Sequence, residues 1–160
     1  MVTIGISIKK YQWVENFIKN YTNLLHEKHR SSLYNYALAE LTYRTISTNE
    51  ALKYAAKIEF EGFFMKHEVN ILKLKIYYDE NDFIAVHYLL DSYKKFIEGN
   101  KFVSGPQYEI YSGFIKVYSE MVKLKEYEDK NAAAILLAKT EEMTNVQNKD
   151  WLLEKLAELI

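Results

Sequence analysis

Asn35-Tyr-Ala-Leu-Ala-Glu-Leu-Thr-Tyr-Arg44 and Asn70-Ile-Leu-Lys-Leu-Lys-Ile-Tyr-Tyr-Asp79 decide the fold, because they are the same pattern written twice at an offset of 35 residues. The offset pairs Asn35 with Asn70, Ala37 with Leu72, Leu41 with Ile76 and Tyr43 with Tyr78. Carried onward, it pairs Thr48 with Phe83, Ala51 with Val86, Ala55 with Leu90 and Ile58 with Tyr93. Apolar residues recur every three or four positions on both sides of each match, which is the helical period. A helix-turn-helix unit repeated at this spacing cannot cover its own apolar faces and needs neighbours to stack on. The expected fold is therefore all-α, a stack of about eight antiparallel helices.

Working outward, the helical period continues over most of the 160 residues, interrupted by only five glycines and one proline. Helices are predicted over residues 10–25, 32–44, 47–59, 67–78, 83–98, 104–125, 130–143 and 149–159. The first carries Trp13, Phe17, Tyr21 and Leu24 on one stripe. Ser47-Thr-Asn-Glu50 and Ser104-Gly-Pro-Gln107 have the spacing of capping boxes, and Pro106 lies where a missing N–H does no harm. Glu61-Gly62 reads as a break, Asp79-Glu-Asn-Asp82 as a polar turn, and Gly99 suits the closing position of a helix. Residues 1–9 alternate apolar and small side chains, a period of two that predicts an extended leader. The repeats then occupy residues 10–125, and residues 126–160 form a helical pair that caps them within the same domain. That pair holds a net charge of −4 against +3 for the rest.

Composition narrows the function classes. A chain without cysteine has neither disulfides nor thiolate metal ligands. A formal charge of −1 gives no general attraction for nucleic acid or an acidic membrane surface, and no apolar run approaches the roughly 20 residues of a membrane span. Together these predict a soluble, cytoplasmic chain. Lys94-Lys95 and Lys123-Leu-Lys125 alternate with apolar residues as amphipathic helices do, so RNA binding is a minority reading.

The stretch Leu33–Leu41 followed by Thr48-Asn-Glu-Ala-Leu-Lys-Tyr54 resembles a degenerate tetratricopeptide repeat, with Asn81-Asp-Phe-Ile-Ala-Val86 as the same turn one repeat later. More narrowly, Tyr11-Gln-Trp13, Glu27-Lys-His-Arg30, Tyr34-Asn-Tyr-Ala37, Ile76-Tyr-Tyr78, Leu89-Leu-Asp-Ser-Tyr93 and Asp150-Trp-Leu-Leu-Glu-Lys155 are similar to the C-terminal region of large bacterial proteins of the tetratricopeptide-like type. Thr42 and Lys73 depart from that pattern. The resemblance implies a right-handed α-α superhelix and a scaffold that binds a protein or peptide on its concave face. It puts Tyr36, Glu40, Tyr43 and Arg44 beside Lys75, Tyr78 and Asp79 in the groove, a mixture of aromatic and charged groups suited to peptides. An equal reading has Tyr43 and Tyr78 packing between repeats. The alternative function is a purely structural C-terminal cap around Trp151.

Catalysis has no foothold in the sequence, and no cofactor or metal is expected. His26 and His29 lack the spacing of a zinc-binding His-Glu-x-x-His helix, while His67 and His87 stand near helix starts or an apolar stripe. The few glycines form no phosphate-binding loop. Glu126/Glu128, Asp79/Glu80 and Glu141/Glu142 lie at helix ends or on solvated faces, where nothing perturbs a carboxyl for acid–base work. The phase of the repeat makes the first helix the second member of an incomplete pair. Its outward apolar face then needs cover, either from the rest of a longer protein or from a homodimer through the N-terminal end.

Overall fold

The computed structural model describes residues 1–59 and 62–160. Their regular elements are α1 (Val2–Ser7), α2 (Tyr11–Tyr21) with a 3₁₀ turn over Thr22–Leu24, α3 (Glu27–Thr45), α4 (Thr48–Ala55), α5 (Phe63–Asp79), α6 (Phe83–Glu98), α7 (Gly105–Tyr127), α8 (Lys130–Glu142) and α9 (Lys149–Ala157). Among the described residues every such element is helical, and no helix is long and apolar enough to cross a membrane. The chain divides into two units, Met1–Asp82 and Phe83–Ile160, between α5 and α6. The division falls within the stretch that the sequence pattern reads as one run of repeats.

Helix ends follow capping chemistry. The Glu50 amide donates to Ser47 Oγ at 3.2 Å and opens α4, and the Ser104 amide donates to Gln107 Oε1 at 3.2 Å ahead of Pro106 in α7. Helix α3 starts five residues earlier than its apolar pattern suggests, because His26 Nδ1 accepts the Lys28 amide at 3.3 Å. Arg30 also holds the preceding turn, donating to the Leu25 carbonyl at 3.0 and 3.2 Å. Helix α5 likewise starts early, at Phe63, behind Gly62 with a φ of 84°. Glu61, the other half of the predicted break, lies outside the described residues. Lys149 Nζ donates to the carbonyls of Glu141 and Met143, both at 2.7 Å, and so closes the end of α8.

In the first unit α3 is buried on two sides. Ala37 and Leu41 pack with Ile6, Val14 and Ile18 of α1 and α2, whereas Ala39 and Tyr43 pack with Ala51 and Ala55 of α4 and Val69, Leu72 and Ile76 of α5. Small residues at Ala37 and Ala39 let neighbours approach on both sides. In the second unit the core runs through a stacked aromatic series. Phe114 and Tyr118 of α7 lie 5.4 Å apart, and Trp151 of α9 lies 6.1 Å from Tyr118. Met121, Val122, Leu152 and Leu156 are buried with them, and the α6 stripe Val86, Leu90, Tyr93 and Ile97 is buried as its spacing predicts.

The leader corrects the sequence reading, since residues 2–7 are helical rather than extended. Val2 and Ile6 are four apart, a spacing that alternation and a helix share. Gly5 breaks the tie: a Cβ on it would stand 2.5 Å from Val14 Cγ2 and 3.1 Å from the Trp13 ring, so the missing side chain is what lets α1 lie on α2. The helix leaves Ile4 and Ile8 at 60 and 61% exposure. Substituting Gly5→Ala should therefore cost about 1–3 kcal/mol of overpacking. Hydrogen exchange checks this: amides at the end of α1 should lose protection while those of α7 and α9 keep theirs.

Candidate functional site

Helices α3 and α5 bring the predicted groove residues together through hydroxyl–carboxylate bonds. Tyr43 Oη donates to Asp79 Oδ2 at 2.5 Å, and the Arg44 guanidinium lies 5.2 Å from the Tyr43 ring centroid. Tyr36 Oη lies 2.9 Å from Glu68 Oε2 and 3.1 Å from Glu40 Oε1, and its single proton serves one carboxylate at a time. Thr48 Oγ1 donates to Glu80 Oε1 just beyond. Glu40, Tyr43, Lys75 and Tyr78 are buried, while Tyr36, Arg44 and Asp79 are half-buried. Tyr36, Glu40, Tyr43 and Asp79, with Glu68, thus form a polar layer between α3 and α5, Arg44 lies over the Tyr43 ring, and Lys75 and Tyr78 are buried on α5. Glu68, which the sequence reading did not single out, is the second carboxylate on Tyr36. Burial first, and then the two neighbouring carboxylates, raise the Tyr36 phenol well above its usual value near 10.

The stripe Trp13, Phe17, Tyr21 and Leu24 has the opposite fate. Val14 and Ile18 supply the buried side of α2, and the aromatics form an outward ladder with ring centroids 5.1 Å apart for Trp13–Phe17 and 4.7 Å for Phe17–Tyr21. Trp13 is 44% exposed and Tyr21 50%. Met1, Ile4 and Ile8 run along the outside of α1 at helical spacing, and Gly5 rests against the Trp13 ring. Beside the ladder a cavity of about 300 Å³ opens, walled by Met1, Phe17, Tyr21, Leu25, Leu33 and Tyr34. The two charged residues of α2 other than its capping lysine, Glu15 and Lys19, are on the opposite flank and line a separate cavity of about 650 Å³ with Arg30. The face is thus largely apolar, with the cavity beside the aromatic series.

His26 caps α3, and the His29 ring lies 6.0 Å from that of His26. His67 is buried and stacked 5.7 Å from Phe63, and His87 Nε2 lies 3.1 Å from the Glu126 carboxylate. Among the described residues no group of three or more His, Asp or Glu side chains is placed to hold a metal. The second unit has a groove of about 950 Å³ between α6 and α7, lined by Leu90, Ile97 and Ile115 and by acidic and basic side chains in near balance, including Asp91, Lys94, Glu120 and Lys123. Such a lining selects no sign of charge.

Compared with known proteins, the chain matches no family model, no curated protein and no solved structure.

Two outcomes follow from the polar layer. Tyr43→Phe should lower stability by about 1.5 kcal/mol in urea unfolding, near the low end for a bond to a charged acceptor because Asp79 is half-exposed and water replaces part of it. The raised Tyr36 phenol stays protonated in the folded chain at a pH where the unfolded chain has lost that proton. Stability from this group is thus complete below pH about 10 and declines as pH climbs above it. Urea titrations from pH 9 to 11 should show a shallower decline for Tyr36→Phe than for the parent chain.

Proposed function

We propose that this chain is a noncatalytic protein-interaction module of the helical-repeat type, which takes a protein partner on the apolar face of α1 and α2. The ladder of exposed Trp13 and Tyr21 on half-buried Phe17 carries the reading, because aromatic side chains open to water beside an apolar cavity are what binding hot spots are made of. The polar layer from Tyr36 to Asp79 fits an internal role better, since the Tyr43 hydroxyl already engages Asp79 and the Tyr36 hydroxyl is shared between Glu40 and Glu68 of the same unit. The 35-residue repetition supports a right-handed superhelical course of tetratricopeptide-like type and a scaffolding role in a larger bacterial, cytoplasmic assembly. A structural cap is the second reading, favoured by Trp151, whose stacking on Tyr118 turns the last helix inward.

A displayed library of helical and extended peptides tests the interaction reading. Peptides enriched on the intact chain should lose binding at least tenfold to Trp13→Ser or Tyr21→Ser and keep it with Tyr43→Phe. Enriched peptides indifferent to both ladder variants would overturn the assignment of the face.

A further inference from the structure

We propose that the partner on this face is a second copy of the same chain, paired through α2 about a two-fold axis at Phe17; the proposal rests on reading the face as a partner site. Three observations carry it.

The first is that knob and hole share one surface. A two-fold interface requires a patch complementary to itself. An antiparallel pairing centred on Phe17 sets residue i of one helix against residue 34 − i of the other, so Trp13 falls opposite Tyr21 of the second copy. Four residues of helix rise about 6 Å, which carries the Trp13 indole from the axis to the mouth of the other copy's cavity, whose wall includes Tyr21 and Phe17. Each copy then places its 44% exposed Trp13 in the other's roughly 300 Å³ hollow, a space suited to one large side chain rather than to a whole helix.

The second is charge. Trp13, Asn16, Phe17, Asn20, Tyr21 and Leu24 make an uncharged strip, and Glu15 and Lys19 point to the other flank. Superposing this strip on itself meets no like-charge repulsion, and antiparallel α2 helices oppose their dipoles favourably. The third is area. Trp13, Tyr21, Leu24, Met1, Ile4, Ile8, Leu33 and Tyr34 are all exposed apolar or aromatic side chains of this region. At on the order of 100 Å² each, their full exposure approaches the roughly 800 Å² per partner of a standard interface, so a stable pair has to cover most of this surface.

Sedimentation equilibrium of the full chain from micromolar to near-millimolar concentration should give twice the 19.0 kDa chain mass, falling to one chain mass for Trp13→Ser at the same concentrations with unchanged helical circular dichroism. The absence of cysteine allows the register to be read separately. Facing backbones at the axis of helices packed about 8–10 Å apart come within the Cα separation of about 4.4–6.8 Å that a disulfide needs. Phe17→Cys should thus oxidise to a covalent dimer at least tenfold faster than Lys19→Cys on the far flank. A dimer that survives Trp13→Ser, or equal oxidation at both positions, overturns the pairing. A chain monomeric throughout also overturns it; if library peptides then still require Trp13, the face remains a site for a different protein, and if they do not, the functional reading falls as well.

Discussion

The first unit depends on one helix having two buried sides. Helix α3 presents Ala37 and Leu41 to α1 and α2, and Ala39 and Tyr43 to α4 and α5, so its apolar residues are spread around the axis rather than gathered on one stripe. A helix patterned in this way is stable only between two layers, since either layer alone leaves apolar surface in water. Alanine at positions 37 and 39 permits the close approach that this sandwich needs. Tyr43 combines both demands, burying its ring in the apolar cluster while its hydroxyl reaches Asp79 at the end of α5.

That arrangement also explains why the polar residues of α3 turn inward. With two sides given to apolar layers, Tyr36 and Glu40 meet α5 at Glu68, and a buried carboxylate must find a donor. The tyrosines supply it. Mixed aromatic and acidic residues at helical spacing on α3 and α5 are equally the chemistry of a peptide groove and of an interhelical polar layer. Which of the two is formed depends on how closely the helices approach, a distance no single helix encodes.

The exposed aromatic face arises from the same economy in α1 and α2. Val14 and Ile18 supply the buried side of helix α2, so the aromatic series one step around the helix is only partly covered within the unit, Trp13 and Tyr21 staying 44 and 50% exposed. The stripe was evident from sequence as amphipathic, yet periodicity reports only that residues share a side and not which of two apolar sides faces inward. The cavity beside it was hidden for a different reason, since it needs α1, and α1 is six residues long with a pattern that fits a strand as well as a helix. Gly5 is the discriminating residue, through a contact with Val14 nine positions away.

Helix content, most helix boundaries and the residues that build the cores of α6 and α7 were thus legible in the sequence itself. They follow from local rules: apolar spacing near 3.6, Ser47 and Ser104 at their caps, and Pro106 at the start of α7, whereas Gly99 follows α6 without the left-handed backbone its position predicts. The early starts of α3 and α5 were less legible, as they rest on His26 and Arg30 holding a turn and on Gly62 entering from a positive φ. Only the tertiary structure decided that residues 2–7 are helical, that Tyr36 and Tyr43 bond to carboxylates of their own unit and that Trp13 and Tyr21 stay exposed. Each of those outcomes is set by which surface finds a partner at van der Waals distance, a property of pairs of helices far apart in the chain and not of the spacing within any one of them.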